Sequence, residues 1–320
     1  MKLVILDGYT ENPGDLSWDW IEELGCEKTV YDLTPPELIV ERAKDSDIVV
    51  TNKCVFTREI LAQLPKLKYI QVIATGYNVI DCAAAKEQGI IVCNIPSYST
   101  NGVAQLVFSL LLEMTQQVGV HNESVKNGEW VSCKHFCYQK TYLTELADKT
   151  MGIIGFGKIG QAVAQIANAF GMQVIAYAPR PKEYSGYGDV DFVSLDELIT
   201  ASDVISLHCP LTAETDRLVN SDFLSKCKKS AYIINTARGG VVDEQAVADA
   251  LNNGEIAGYG ADVLLTEPPK ADNPLLSSKN SFITPHIAWA NIESRTRLMN
   301  IFKDNLKAFL DGSPINVVNN

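Results

Sequence analysis

The chain has 320 residues, enough for about two domains that each bury a core of their own. Its composition is that of an ordinary globular protein, with 46% hydrophobic and 21% charged residues. A formal net charge of -12 argues against nucleic acid or an anionic membrane surface as a partner. The apolar run near the N-terminus predicts a strand, because it is too short for a signal peptide or a membrane span.

The eight cysteines are scattered without the paired spacing of a disulfide framework, which predicts a reducing, cytoplasmic location. Cys133, His135 and Cys137 could contact a metal ion. A fourth ligand is missing nearby, however, and the spacing is unusual for zinc. We therefore expect no metal site.

Residues 1–100 alternate short apolar strands with short helices. Strands are predicted over 3–6, 30–31, 47–51, 69–74 and 90–93, and helices over 18–24, 37–43, 58–63 and 83–88. Apolar strands between helices are typical of a parallel sheet covered on both faces. Two loops follow strands, where such sheets bind ligands: one holds Lys53, the other Thr75, Gly76 and Tyr77. The second can present backbone N–H groups to an anion, although both loops could equally be ordinary turns.

A long helix is predicted over 101–118, with apolar residues on more than one face. We expect it to be buried between domains or between subunits. The stretch 121–146 is less regular, and its aromatic residues predict contact with another surface. Those aromatic residues are Trp130, Phe136, Tyr138 and Tyr142.

A second series of strands and helices begins at Met151. Strands are predicted over 151–154, 173–177, 204–207, 231–235, 257–263 and 282–284, and helices over 161–170, 195–201, 222–226, 243–252 and 292–310. The first series has no natural end near residue 100, so we expect the last helix to return to it.

The first strand of this second series leads into three glycines spaced as G-x-G-x-x-G. Gly155 allows a tight turn, Gly157 lets the backbone approach a pyrophosphate, and Gly160 lets the following helix pack close to its strand. The helix N-terminus offers free N–H groups and a partial positive charge to phosphates. The strand before the glycines and the amphipathic helix after them predict a dinucleotide site.

Three polar residues follow later strands in loops bounded by Gly or Pro, namely Arg238, Glu267 and His286. Each has an ordinary alternative: a surface ion pair for the arginine, a solvated carboxylate for the glutamate, and a helix cap for the histidine.

Taken together, the motifs resemble the D-isomer-specific 2-hydroxyacid dehydrogenases over essentially the whole chain. The matching segments are G-F-G-K-I-G at 155–160, H-C-P-L at 208–211, N-T-A-R-G-G-V-V-D at 235–243, G-A-D-V at 260–263, E-P-P at 267–269 and P-H-I-A-W at 285–289. The resemblance implies an α/β fold of two doubly wound parallel-sheet domains, with a Rossmann dinucleotide-binding domain inserted into a flavodoxin-like substrate domain. The substrate domain is expected at 1–100 plus 291–320. The dinucleotide-binding domain, with a dimerisation helix and arm, is expected at 101–290.

The resemblance also implies the activity, an oxidoreductase that transfers hydride from NAD(H) or NADP(H) to a small 2-oxo acid. His286 is the expected general acid/base, Glu267 its partner, and Arg238 the carboxylate ligand. The segments N-P-G-D-L-S-W, A-T-G-Y-N and H-I-A-W are most similar to members that interconvert hydroxypyruvate and D-glycerate. Alternatives are glyoxylate reduction, D-lactate or phosphoglycerate dehydrogenase activity, and a corepressor-like protein that senses the dinucleotide. A second copy of the chain, in a homodimer, is the expected protein partner.

The resemblance carries further site residues over to this chain. Substrate is expected at Lys53, Thr75, Gly76, Tyr77 and Arg238. Cofactor is expected at Gly155, Gly157, Lys158, Ile159, Gly160, Ala178, Arg180, His208, Cys209, Pro210, Thr215, Thr236 and Asp262. NAD-using members usually carry an acidic residue where this chain has Ala178, and Arg180 is available to a 2′-phosphate. This departure tips the expectation towards NADP(H), although such sites can tolerate loss of the acid.

Overall fold

The computed structural model describes residues 1–179 and 190–320, which form two compact units. The first unit is Met1–Ser99 with Trp289–Asn320, and the second is Thr100–Ala288. The boundaries expected from the sequence lie within two residues of these.

The described residues contain two parallel sheets. The five-stranded sheet of the first unit has the order β2-β1-β3-β4-β5, and the seven-stranded sheet of the second has the order β12-β11-β10-β9-β6-β7-β8. In each sheet the chain runs outward from a central strand in both directions, so both units are doubly wound as expected. The strands are β1 (Lys2–Ile5), β2 (Glu27–Val30), β3 (Ile48–Thr51), β4 (Tyr69–Val72), β5 (Ile91–Cys93), β6 (Thr150–Ile154), β7 (Gln173–Tyr177), β8 (Asp191–Phe192), β9 (Val204–Leu207), β10 (Tyr232–Asn235), β11 (Gly258–Ala261) and β12 (Ser281–Ile283).

Helices cover both faces of each sheet. Several begin where a side chain caps the first turn: Thr57, Asp81 and Asn291 each accept a hydrogen bond from a backbone N–H of the helix that follows. The helices are α1 (Trp20–Glu23), α2 (Ile39–Ala43), α3 (Arg58–Leu61), α4 (Cys82–Glu87), α5 (Thr100–Gln116), α6 (Val118–Lys126), α7 (Lys158–Ala169), α8 (Leu195–Ala201), α9 (Ser221–Lys226), α10 (Glu244–Asn253) and α11 (Ile292–Leu310).

The last helix, α11, packs in the first unit, as expected. Its stripe of Leu298, Phe302 and Leu306 is buried together with Leu3 and Ile5 of β1. The segment after α11 then covers the edge strand β5. Its backbone and the side chain of Asn319 bond Val92 and Ile90 at 2.8–2.9 Å.

The expectation that α5 is buried between domains is corrected, whereas a contact with a second subunit remains a prediction. Its apolar residues pack in the core of the second unit, against α7 and the sheet. Glycines of β11 make this approach possible, because a Cβ atom at Gly260 would lie 3.2 Å from Leu110 of α5. The helix ends at Gln116, and Gln117 takes a left-handed conformation with a φ of +44°.

The irregular stretch expected after α5 begins as a helix, α6, and this is a second correction. An exposed apolar surface lies on α6 and on the arm that follows it, at residues 127–145, the stretch whose aromatic residues were expected to contact another surface. It consists of Val118, Val120, Val125, Trp130, Val131, Phe136, Tyr142 and Leu143. Of the helices described, none alone is long and apolar enough to cross a membrane; α5 and α6, bent by 55°, meet that test only as a pair.

Candidate active site

The glycine loop of the second unit lies between β6 and α7. Gly155 has a φ of +94°, and a Cβ atom there would lie 2.6 Å from the backbone of His208. A Cβ atom at Gly160 would lie 2.4 Å from the carbonyl oxygen of Gly155. Gly155 and Gly160 thus occupy the tight turn and the close helix–strand approach expected of them.

Gly157 differs from the other two glycines. A Cβ atom on it would meet no atom within 4 Å, so the backbone borders open space. The residue precedes the 12-residue helix α7, which begins with Lys158 and Ile159. An open backbone at a helix N-terminus suits a pyrophosphate, because N–H groups and the helix dipole both favour an anion there.

The segment after β9 passes close to the glycine loop. The backbone N–H of His208 donates to Ile154 at 2.7 Å, and the ring Nε2 lies 2.8 Å from the Ser206 hydroxyl. Burial lowers the pKa of His208 to about 3, so its imidazole is neutral at physiological pH. Burial also raises the pKa of Cys209, which keeps that thiol protonated. Thr215 closes the same segment by donating to the Pro210 carbonyl at 2.6 Å.

Thr236 follows the carboxyl end of β10. Its hydroxyl is buried and has no hydrogen-bond partner among the described residues. Buried polar groups are nearly always paired, so an orphan of this kind indicates a bound group. Together with the open backbone at Gly157, the Thr236 hydroxyl fits a nicotinamide dinucleotide.

Asp262, at the end of β11, is buried and organises the turn that carries His286. Its carboxylate accepts hydrogen bonds from the Thr284 hydroxyl at 2.6 Å and from the backbone of Ile287 and Ala288 at 2.8 Å. The cofactor contact expected of Asp262 remains a prediction, because these bonds give the side chain a structural role of their own.

His286 and Glu267 form a direct pair. Nδ1 of His286 lies 2.6 Å from Glu267 Oε2, and Oε1 of the same carboxylate accepts a hydrogen bond from Leu264 N at 3.0 Å. The carboxylate fixes the ring orientation and the tautomer, so Nε2 is left to exchange a proton. Asn291 caps α11, so His286 is not the helix cap that the sequence also allowed.

Arg238 lies at the carboxyl end of β10 with an exposed side chain. Within the part of the chain that the structure describes it forms no ion pair, and its guanidinium donates a hydrogen bond to the neighbouring Ala237 carbonyl at 2.6 Å. The buried side chain of Asn235 fixes the loop by bonding Arg238 O and Ala237 N. A Cβ atom at Gly239 would lie 2.0 Å from Leu264, so this glycine lets the arginine loop approach the segment that bonds Glu267.

Sequence reasoning missed the roles of Asn235 and Gly239. Both lie inside the matched segment N-T-A-R-G-G, so the motif could have indicated that these two residues shape the loop of Arg238. The cofactor position Ala178 follows the end of β7, whereas Arg180 lies outside the described residues. Among the described residues no group of three or more His, Cys, Asp or Glu side chains could hold a metal ion.

The first unit holds the other predicted ligand positions. Thr75, Gly76 and Tyr77 follow β4, and their backbone N–H groups donate no hydrogen bond within the described residues. Two bonds fix this loop, from the Thr75 hydroxyl to Ile95 O and from the Asn94 amide to Thr75 O, both at 2.8 Å. The loop can therefore present several N–H donors to an anion.

Lys53 follows β3 and has an exposed side chain without an ion pair in the described ranges. Its backbone N–H donates to the Asp7 carboxylate at 2.6 Å. Lys53, Asp7 and Thr10 line a cavity of about 350 Å³ at the carboxyl ends of β1 and β3.

Comparison with known proteins identifies the family. The model of the NAD-binding domain of D-isomer-specific 2-hydroxyacid dehydrogenases matches residues 108–288. A hydroxypyruvate reductase from Blautia hydrogenotrophica is 50% identical, with 100% of each chain covered. A glycerate dehydrogenase from Methylorubrum extorquens is 43% identical over 88% of each chain. The structure of an acyclic imino acid reductase in complex with NADPH and D-Arg matches with a TM-score of 0.86 and 35% identity, over 99% of this chain and 100% of that one.

The family model covers more than half of the chain, and these relatives extend the match over nearly all of it. The chain therefore belongs to the D-isomer-specific 2-hydroxyacid dehydrogenase family, oxidoreductases that use a nicotinamide dinucleotide to interconvert 2-oxo and 2-hydroxy acids.

Proposed function

We propose that the protein reduces hydroxypyruvate to D-glycerate. The observation that carries this proposal is the His286–Glu267 pair in a chain that is 50% identical to a hydroxypyruvate reductase. The similarity to a glycerate dehydrogenase supports the same pair of substrate and product, because that enzyme is named for the reverse reaction.

His286 is the general acid of the reduction. Its Nε2 gives a proton to the oxygen at C2 as that oxygen becomes a hydroxyl, and in oxidation the same atom accepts the proton. Glu267 holds Nδ1 at 2.6 Å, so the ring keeps its orientation and Nε2 faces away from the carboxylate. When bound, the nicotinamide dinucleotide supplies the hydride that reaches C2.

Arg238 binds the substrate carboxylate. Its planar guanidinium forms bidentate hydrogen bonds to a carboxylate, and no carboxylate among the described residues competes for it. The free N–H groups of Thr75, Gly76 and Tyr77 are a second set of donors for the substrate's anionic end, and Lys53 adds a positive charge.

The cofactor is held by the glycine loop, the N-terminus of α7, and the segments that begin at His208 and Thr236. We favour NADP(H), because Ala178 supplies no carboxylate for the ribose and Arg180 can bind a 2′-phosphate.

Arg180→Ala should weaken NADPH binding by about tenfold or more while changing NADH binding little, since a lost charge-assisted bond costs about 1.5–3 kcal/mol. Titration of both cofactors by fluorescence measures this. Equal losses of affinity for NADPH and NADH, or a preference of the wild-type protein for NADH, would show that the cofactor site tolerates the absence of an acidic residue at Ala178.

We further infer a homodimer that works in a reducing cytoplasm. The exposed apolar residues of α6 and the arm support the dimer, and eight free cysteines support the location.

The experiment that tests the function is an absorbance assay at 340 nm with a panel of 2-oxo acids and both cofactors. Hydroxypyruvate should have the highest kcat/KM, above glyoxylate, pyruvate and phosphohydroxypyruvate. A preference for pyruvate or for the phosphorylated acid would instead support D-lactate or phosphoglycerate dehydrogenase activity. Cofactor binding without turnover of any 2-oxo acid would support a dinucleotide-sensing protein.

A further inference from the structure

The loop that carries Glu267 has no apolar anchor of its own. Leu264 and Leu275 are buried at its two ends, but every residue from Leu265 to Asp272 is exposed. Segments with few buried apolar contacts are the most mobile parts of a protein. The Glu267 carboxylate nevertheless has to stay 2.6 Å from Nδ1 of His286, so polar contacts must hold the loop in place.

Glu244 supplies two such contacts, one at each end of the loop. Its Oε1 accepts a hydrogen bond from the backbone N–H of Leu265 at 2.7 Å, and its Oε2 accepts one from the side-chain amide of Asn273 at 2.8 Å. Asn273 in turn accepts from the backbone N–H of Leu275 at 3.0 Å and caps the short turn that follows the loop. Hydrogen bonds to a carboxylate are shorter and stronger than those between neutral groups. One side chain therefore bridges the two ends of the loop.

The backbone of Glu244 is itself fixed, because this residue begins α10. Asp243 caps the helix by accepting hydrogen bonds from two backbone N–H groups of its first turn, both at 3.1 Å. Val247 of the same helix is 0% exposed and belongs to the core of the second unit. The helix dipole also favours a carboxylate in the first turn. Glu244 thus bonds the loop from a rigid base.

The bond to Leu265 lies directly beside the bond that orients Glu267. Oε1 of Glu267 accepts from the backbone N–H of Leu264 at 3.0 Å, while its Oε2 faces His286. Leu264 and Leu265 are consecutive, so a shift of this segment moves the donor that Glu267 needs. Glu244 is therefore one hydrogen bond away from the group that holds the imidazole.

We propose that Glu244 is a positioning residue of the reaction, whose carboxylate holds the segment at Leu265 and Asn273 and thereby keeps Glu267 within reach of His286 Nδ1. The proposal rests on the proposed function, because it takes His286 as the acid that protonates the oxygen at C2. All of these residues belong to the second unit.

Loss of the Glu244 carboxylate should free the loop and let Glu267 leave His286. The imidazole would then lose the partner that fixes its ring orientation and tautomer, and a misplacement of about 1 Å can cost about 100-fold in rate. The glycine loop and Thr236 lie on other segments, so the cofactor should still bind. The expected signature is a lower kcat with an unchanged Kd of the cofactor.

A double-mutant cycle tests this signature in the complete protein, with the 2-oxo acid that the wild type reduces fastest. Glu244→Ala should lower kcat by about 10- to 100-fold and leave the Kd of the cofactor within about threefold. In a protein that already carries Glu267→Ala, the same substitution should change kcat by less than about threefold, because residues that act as a unit are not additive.

Two further variants serve as control and as conservative replacement. Glu197→Ala removes an exposed glutamate from the first turn of α8 in the same unit and should leave kcat within about twofold of wild type. Glu244→Gln keeps an oxygen that can accept from Leu265 but loses the acceptor for Asn273, so kcat should fall only about 3- to 10-fold. This variant takes the place of Glu244→Ala in the cycle if the alanine variant does not fold, and its loss should likewise disappear in the Glu267→Ala protein.

Additive losses in the cycle, or a kcat of Glu244→Ala within about twofold of wild type, would overturn the positioning role, while wild-type turnover of hydroxypyruvate keeps the proposed function. A loss of cofactor affinity as large as the loss of kcat would also overturn that role, because it would show a general disturbance of the unit. A wild type that prefers pyruvate would overturn the proposed substrate, and the cycle measured with pyruvate would still decide the role of Glu244. A wild type that reduces no 2-oxo acid would overturn both.

Discussion

His286 has a backbone conformation that few non-glycine residues adopt, with a φ of +55°. Such conformations persist only where the surroundings enforce them, and they cluster at functional sites. Here Asp262 bonds the backbone of Ile287 and Ala288, and Glu267 bonds the ring. The turn therefore aims the imidazole before any substrate binds.

Removal of this imidazole should abolish most turnover. We expect His286→Ala to lower kcat by about 10²–10⁴-fold, the usual contribution of a general acid, with cofactor affinity nearly unchanged. Steady-state kinetics and cofactor titration of the same preparation measure the two effects. A variant that keeps more than about a third of wild-type turnover would rule out His286 as the acid.

Glu11 should make the stability of the protein depend on pH in an unusual direction. Burial raises the pKa of Glu11 from 4.5 to about 8, so between these pH values the folded state binds a proton that the unfolded state releases. The stability from this group is therefore fully present below about pH 4.5 and is lost as pH rises through about 8. The charged groups around it are Asp7 after β1, and Arg295 of α11 with its partner Asp15.

Comparison with Glu11→Gln isolates this effect, because the glutamine does not titrate. Urea unfolding at pH 5 and pH 8.5 should show wild type losing about 2–5 kcal/mol more than the variant, given that one pKa unit corresponds to about 1.4 kcal/mol. Equal losses in the two proteins would mean that Glu11 is ionised in the folded state at neutral pH.

At the scale of helices and strands, the regular pattern was predictable where apolar periodicity and capping residues agreed. The helix over 292–310 and the strand over 204–207 were predicted to the residue. The helix α6 was not predicted. The break before it is Gln117, which has a left-handed backbone conformation, and no turn motif in the sequence indicates this break. The prediction that α5 packs between domains was also wrong, because α5 packs against the glycine-rich strand β11 of its own unit, a tertiary contact that the sequence pattern does not indicate.

The same limit applies within the site and in the first unit. The motifs contain Arg238, Glu267 and the three glycines, and these residue types indicate the chemistry they can perform. Glu11 lies in the segment E-N-P-G-D, whose composition is typical of a solvent-exposed turn. Its burial depends on Asn52 and Arg295, which are distant in sequence and meet it only in the fold.

The surface of α6 and the arm leads to a prediction about assembly. Phe136 is 89% exposed and Tyr142 is 93% exposed, which is unfavourable for large rings in water. We expect sedimentation equilibrium at micromolar concentration to give a dimer of two 35.1 kDa chains, and Phe136→Asp to shift it towards monomer. The control is Leu33→Asp, an exposed apolar residue of the first unit, which should leave the mass unchanged. A wild-type monomer would contradict the homodimer.

At the scale of the whole molecule, the two units carry different kinds of group. The second unit holds the glycine loop, the Thr236 hydroxyl and the His286–Glu267 pair. The first unit holds the N–H groups after β4 that donate no hydrogen bond within the described residues. Every 2-oxo acid has the carboxylate and the C2 oxygen, so preference among them must come from groups that contact C3.

The measurement that tests the substrate most directly is competition in one vessel. Hydroxypyruvate, pyruvate and phosphohydroxypyruvate are supplied at equal concentrations with limiting cofactor, and the 2-hydroxy acid products are quantified, so that their ratio reports the ratio of kcat/KM values. The account predicts that D-glycerate is the major product by at least about tenfold over lactate, as loss of one buried hydrogen bond implies. A majority of lactate or of phosphoglycerate would contradict it.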